Sequence, residues 1–189
     1  AAAFLIVAAL ITPGSRLMLR QVGMNPGRTG LIEALQSMGG DIQITGLHEH
    51  HGEPVGDITV THGELHAVRV GGDLVVRMID EFPAFAIAAA FAQGETVVED
   101  ASELRHKDSV RIADLAQELA KLGVQMSETA DGFRVLGGRP VQGGEVQPHG
   151  DHRLAMALAV AGLAARSPVA VQQAGIIGPS TRETVDTLL

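Results

Sequence analysis

The sequence predicts an α/β domain made of three copies of one unit, and three observations carry that expectation. An apolar, alanine-rich helix recurs at residues 1–11, 82–92 and 151–165. After each comes a turn, a short strand-like stretch and a second helix at nearly constant spacing. Arg28 lies 27 residues after Ala1, Lys107 lies 25 after Phe82, and Ser180 lies 28 after His152. Strand-like segments with glycine at their turns separate the copies. A fixed internal period means that each unit buries its apolar face against its neighbours, here with threefold pseudosymmetry. The 189 residues suffice for one domain with a real core, or two small ones.

The first copy opens with residues 1–11, an apolar helix with no capping residue before it. Pro13-Gly14 ends it, residues 15–20 read as a strand, residues 29–38 as a helix and residues 39–44 as another strand. A hairpin over residues 57–70 is expected to close the unit. In the second copy the segment from Phe85 to Phe91 is apolar on all sides. Such a helix must be buried all round, and its small side chains let neighbours approach closely. The alternative, a buried strand, is opposed by alanine's poor fit to strands. Residues 95–99 follow as a strand. Next, Ile112, Leu115, Leu119 and Leu122 step by three, four and three, which is one face of a helix. Gly123 stands where a C′ glycine belongs. Residues 123–127 are expected as a strand and residues 132–146 as a second hairpin. The third copy runs from the helix at 151–165 to a strand at 168–172 and a helix starting near Ser180.

The densest run of ionisable groups, residues 103–111, lies across the start of the amphipathic helix. It places Arg105, His106, Lys107 and Arg111 where free N–H groups and the helix dipole favour anions. Cations crowded there repel the dipole unless an anion lies between them, which predicts a phosphate or carboxylate site. At residues 149–156, Asp151 reads as an N-cap, and His152 and Arg153 open the third apolar helix. Arg153 again asks for an anion, although it can also reach solvent or pair with Asp151. Asp80 stands just before Pro83, a residue suited to a first helical turn, so a plain N-cap is the alternative to a chemical role. Asp108 has the same alternative. Asp114, Glu118 and Lys121 are expected on a solvated helix face.

Composition bounds the function. The 14 Lys and Arg against 22 Asp and Glu give a net charge of −8, which argues against nucleic acid as the main partner, because phosphate backbones need a broad basic face. Cysteine is absent, excluding disulfides and thiolate metal sites, and without Trp or Tyr the usual stacking platforms are missing. The longest apolar runs reach about 11 residues, short of the roughly 20 needed to span a bilayer, and no basic n-region precedes Ala1. A soluble, cytoplasmic protein is expected, with no membrane contact. The missing initiator Met and an end that falls within a helical pattern suggest a piece of a longer chain. His48-Glu49-His50-His51 raises the question of a metal, but in a polar loop with no further ligand nearby none is expected. No glycine-rich nucleotide loop is present.

Four stretches together resemble one family, the 5-enolpyruvylshikimate-3-phosphate synthases: Asn25-Pro26-Gly27-Arg28-Thr29-Gly30, Ile79-Asp80-Glu81-Phe82-Pro83, residues 103–111, and residues 149–156. The resemblance covers essentially the whole chain and only that family's second, C-terminal domain. It implies a fold of three βαβαββ units with buried parallel helices, half of an inside-out barrel, with an N-terminal domain missing. It implies transfer of the enolpyruvyl group of phosphoenolpyruvate to the 5-hydroxyl of shikimate 3-phosphate, a 3-phosphoshikimate 1-carboxyvinyltransferase activity that needs neither metal nor organic cofactor. By the same resemblance Asp80 is the general base and Lys107 contacts substrate and assists proton transfer. Arg111 and Arg153 hold phosphoenolpyruvate with His152 beside them, and Asp108 stands where the family usually has Glu. Three departures are visible: Asp108 shortens that carboxylate by a methylene, Val110 replaces a commonly acidic residue, and Gly178-Pro179-Ser180-Thr181-Arg182 lacks the family's lysine, for which Arg182 is the nearest substitute. The related UDP-N-acetylglucosamine enolpyruvyl transferases and a non-catalytic anion-binding domain are the competing readings.

Overall fold

The computed structural model describes residues 2–101 and 109–177. Its first unit consists of α1 (Ala2–Ile11), β1 (Arg16–Gly23), α2 (Gly30–Ser37), β2 (Asp41–His50) and β3 (Glu53–Thr61). The second is β4 (Arg69–Val70), the single turn α3 (Asp73–Val76), α4 (Phe82–Phe91), β5 (Glu95–Val98), α5 (Ser109–Lys121), β6 (Gln125–Glu128) and β7 (Phe133–Leu136). The third begins β8 (Gly144–Val146), α6 (His152–Gly162), β9 (Val169–Val171).

Strand pairing repeats between the units, although the helix expected near Ser180 lies outside the described residues. The first sheet has the order β1-β3-β2, all antiparallel, and the second has β4-β5-β7-β6, in which β5, β7 and β6 repeat that order. β4 lies parallel to β5 with α4 as the crossover, and β8 lies parallel to β9 with α6 as the crossover. A leading strand, a buried helix and a parallel second strand therefore open both units.

This pairing corrects two expectations. Arg69–Val70 and Gly144–Val146 do not close hairpins at 57–70 and 132–146; each leads the next unit. The hairpins are β2–β3, turning at His51 and Gly52 with φ of 51° and 81°, and β6–β7. Two strand-like stretches near a glycine turn look like a hairpin in sequence whichever sheet edge each one joins. His48 and His50 accordingly lie in β2 rather than in a polar loop.

The helices α1, α4 and α6 pack on one another at the centre. Nine of the ten residues of α4 are buried, as its uniform apolarity requires. Phe85 and Phe133 are fully enclosed, and the rings of Phe82 and Phe133 meet edge to face with centroids 5.6 Å apart. α6 departs from all-round burial: Leu154, Ala155, Ala157, Leu158 and Ala161 are covered, whereas Ala159 is exposed. An alanine-rich helix carries too little polar contrast to show which side faces out. On α5, Ile112, Leu115 and Leu119, with Leu122 just past its end, are buried as their spacing demands, and Gly123 follows with φ of 76°. Among the described residues no helix is long and apolar enough to cross a membrane.

Candidate anion-binding and catalytic site

The candidate site lies where the N-termini of α4, α5 and α6 come together. The chain enters α6 through a turn in which His149 and Gly150 both adopt left-handed backbone, φ 49° and 79°, and the Asp151 N–H donates to the Pro148 carbonyl at 2.7 Å. Asp151 is the N-cap, its Oδ1 accepting from the N–H groups of Arg153 at 2.8 Å and Leu154 at 3.3 Å. Its other oxygen accepts from Nε of Arg111, in the first turn of α5. Arg153 reaches across to the second unit. Its Nη1 lies 2.5 Å from Asp80 Oδ1 and donates to the Asp80 carbonyl at 2.9 Å. Asp80 sits in the 3-10 turn Ile79–Glu81 that feeds α4. Two arginine–aspartate pairs thus tie three helix starts together. Beneath Arg111 the floor is apolar, formed by Ile79, Phe82, Pro83, Ile112, Leu115 and Phe133.

The charges shape one another. The Arg153 hydrogen bond holds the Asp80 carboxyl below its ordinary pKa against the opposing effect of partial burial, with Arg153, Arg111 and Arg28 adding attraction. Burial pushes Asp151 upward, but the bonds from Arg111 and the Arg153 N–H outweigh it, and the net direction is down. Glu81 goes the other way, raised first by burial and then by the charge of Asp80. Arg153 is raised, chiefly by its bond to Asp80.

Of the sequence-predicted residues, Asp80, Arg111 and Arg153 are brought together. His152 is half-buried at the first position of α6 and makes no side-chain hydrogen bond among the described residues. Lys107 and Asp108 lie outside the described residues, as does Arg182. Two expectations change. Arg153 pairs with Asp80, not with Asp151, which is occupied by capping and by Arg111. Asp80 is not a cap: Glu81 holds the N-cap position of α4, with no side-chain cap bond, and Pro83 takes the first turn as expected. For Arg111 and Arg153 the protein's own Asp151 and Asp80 supply the opposite charge, whereas Arg105 and His106 lie, like Lys107, outside the described residues.

Three residues have no site role that sequence spacing reveals. Arg28 is exposed on the 3-10 turn Pro26–Arg28 and near enough to act on Asp80 and Glu81. That turn is held in place by Arg77, which forks onto Glu33 at 2.5 and 2.7 Å and reaches the Pro26 carbonyl at 3.3 Å. Gly30 allows the approach, since a Cβ there would stand 2.9 Å from the Arg77 backbone. Glu81 escaped notice as the neighbour of Asp80. Glu118 was placed on a solvated face and is fully buried. The signal was available: Glu118 is three residues after Leu115 and seven after Arg111, hence beside the buried stripe. Among the described residues no group of three or more His, Cys, Asp or Glu side chains surrounds a metal position.

A family model described as EPSP synthase (3-phosphoshikimate 1-carboxyvinyltransferase) matches residues 1–188. The chain is 48% identical over 187 residues to the 3-phosphoshikimate 1-carboxyvinyltransferase of Synechococcus sp. (strain JA-3-3Ab), covering 99% of this chain and 42% of that protein. It is 50% identical over 179 residues to the protein of the same name from Geotalea daltonii, covering 95% and 42%. Among solved structures, EPSP synthase from Acinetobacter baumannii superposes with a TM-score of 0.90 at 40% identity, over 95% of this chain and 42% of that one. The enolpyruvyl transferase NikO from Streptomyces tendae superposes with a TM-score of 0.73 at 20% identity, over 99% and 41%, a likeness of fold. The chain spans about 42% of the length of these curated relatives.

Proposed function

The chain belongs to the EPSP synthase family, and from that premise we propose that it carries the phosphoenolpyruvate side of an enolpyruvyl transfer site. The reaction would join phosphoenolpyruvate to the 5-hydroxyl of shikimate 3-phosphate and release inorganic phosphate. This chain would be the second domain of a two-domain enzyme, with the remaining substrate contacts on the other. The observation that carries the reading is the pairing of Arg111 with Asp151 and of Arg153 with Asp80 at three converging helix starts.

Two guanidiniums suit a small molecule bearing both carboxylate and phosphate, because each can be bound bidentately. In the free protein the aspartates occupy them. An incoming anion that takes Arg153 removes the partner that depresses the Asp80 carboxyl and adds negative charge beside it. Both changes raise the pKa of Asp80 and make it a better base as substrate arrives. Asp80 would then accept the proton of the attacking hydroxyl while Lys107 delivers one to the methylene carbon, giving a tetrahedral adduct. Asp108 assists that proton transfer, and His152 completes the anion pocket beside Arg153. Loss of phosphate from the adduct, with return of a proton from the methyl carbon to the protein, regenerates the double bond in the product.

An NMR titration of the chain with phosphoenolpyruvate tests the anion site. Millimolar affinity is expected, on the order of −4 kcal/mol, weakening with salt because the site is open and screened. Arg111→Ala and Arg153→Ala should each abolish it, whereas Arg20→Ala, on β1, should not. Shifts confined to residues remote from Arg111 and Arg153 would place the anion elsewhere and end the assignment.

A further inference from the structure

Glu118 has no place in the chemistry above, yet it is the most completely enclosed charged side chain among the described residues, with no exposed surface. Both of its oxygens are fully used. Oε1 accepts from Lys121 Nζ at 2.8 Å and from His149 Nε2 at 2.8 Å. Oε2 accepts from Lys121 Nζ at 2.7 Å and from the Gln147 N–H at 2.8 Å. Burial works to raise its pKa, but these bonds prevail and the net direction is down, so the group is a carboxylate at neutral pH.

Three features set it apart from a charge that is merely satisfied. Two of its donors, Gln147 and His149, belong to the turn that ends at Asp151. His149 holds a left-handed backbone that non-glycine residues adopt reluctantly and keep only when surroundings enforce it. Glu118 also lies seven residues, two helical turns, beyond Arg111 on α5. One face of α5 therefore grips the 147–151 turn twice, through Glu118 at its beginning and through Arg111 at its end.

We propose that Glu118 is a positioning residue: a buried carboxylate that holds the His149–Gly150–Asp151 turn and, through Asp151, sets Arg111 and the start of α6 for an anionic substrate. This rests on the anion-site reading of Arg111 and Arg153. Without Glu118, His149 is released to relax toward ordinary backbone. Asp151 then moves away from both the N–H groups it caps and the guanidinium it pairs with. Lys121, whose side chain is partly exposed, can turn toward water and needs no replacement partner.

The test uses Glu118→Gln and His149→Asn in the 189-residue chain, singly and combined. Glutamine preserves volume and one acceptor; asparagine tolerates left-handed backbone but loses the ring donor. NMR without ligand follows the Arg111 Nε–H resonance and hydrogen exchange at the Arg153 and Leu154 amides, compared with Leu119 and Leu122 in the same protein. The expected result is a displaced Arg111 resonance and exchange at Arg153 and Leu154 at least tenfold faster relative to Leu119 and Leu122. Phosphoenolpyruvate affinity should fall at least tenfold in each variant, and the double variant should be no worse than the singles. Uniformly faster exchange, or an unmoved Arg111 resonance in a folded variant, would overturn the proposal, as would additive losses in the double variant. If Glu118→Gln fails to fold, His149→Asn gives the same readouts. If the unaltered chain binds no phosphoenolpyruvate, the functional reading fails while the ligand-free signals still decide this one.

Discussion

Asp80→Asn should strengthen anion binding and abolish turnover at the same time. The side chain of Asp80 is 61% exposed and pairs with Arg153 at 2.5 Å. An exposed pair of this kind contributes about 0.2–1 kcal/mol, which is also what an incoming anion must overcome to claim the guanidinium. Asparagine removes the competing charge, while the Asp80 backbone carbonyl still holds Arg153 at 2.9 Å, so the arginine stays in place. At about 1.4 kcal/mol per tenfold, phosphoenolpyruvate affinity of the chain should rise by up to about fivefold, the upper end of that range. Stability should change by less than about 1 kcal/mol, since no cap bond is lost. On the function proposed above, turnover of the full-length protein should drop about a hundredfold or more, the usual contribution of a positioned base. Calorimetric or NMR titration of the chain and a phosphate-release assay on the whole enzyme supply the two numbers. Unchanged or weaker affinity in Asp80→Asn would refute the idea that the aspartate holds the place of the substrate, and near wild-type turnover would sink its role as base.

Two further expectations concern stability. Asp151→Ala removes an N-cap, about 1 kcal/mol, and the charged partner of Arg111, about 1.5–3 kcal/mol; urea denaturation should show a loss of about 2.5–4 kcal/mol. Asp151→Asn, which can still cap, should cost clearly less, and equal losses would show that capping is irrelevant here. Thermal melts from pH 7 to pH 3 should reveal acid sensitivity. The carboxyls of Asp80, Asp151 and Glu118 are depressed in the fold, so their stabilisation is complete above the ordinary carboxylate range and disappears as pH falls through their folded values. Glu81, being raised, works oppositely, its contribution present below its ordinary value and lost as pH rises through the folded one. Glu33, depressed by its bond to Arg77, acts in the same sense as those three, and four outweigh one, so the melting temperature should decline below about pH 4; a flat profile would contradict the assigned directions.

What could be read in the sequence was what short-range spacing encodes. The buried stripe of α5, the glycine that ends it, the Asp151 cap and the enclosed α4 all follow from residues within a few positions of one another. Partnership across units did not. Nothing local to Arg153 points to Asp80, 73 residues away, and the only carboxylate beside it in sequence is Asp151. Likewise Arg69–Val70 carries no mark that it will lie parallel to β5 instead of folding back on β3. Glu118 failed for another reason. A charge by itself points to solvent, although the place of Glu118 on the helix wheel is beside Leu115 and Leu122.

The alanines that fill α4 and α6 have a consequence for the calibre of the site. Helix axes settle about 8–10 Å apart according to the bulk of the side chains between them. Here Ala84, Ala86, Ala88, Ala89, Ala155, Ala157 and Ala161 are all essentially without exposed surface, and linings this small favour the narrow end of that range. The width of the opening at their N-termini is inherited from this spacing. Two ångströms more, the difference between methyl and isobutyl linings, would carry the Arg153–Asp80 contact from 2.5 Å beyond hydrogen-bonding reach. The smallest side chains in the middle of the domain thereby act as its gauge blocks.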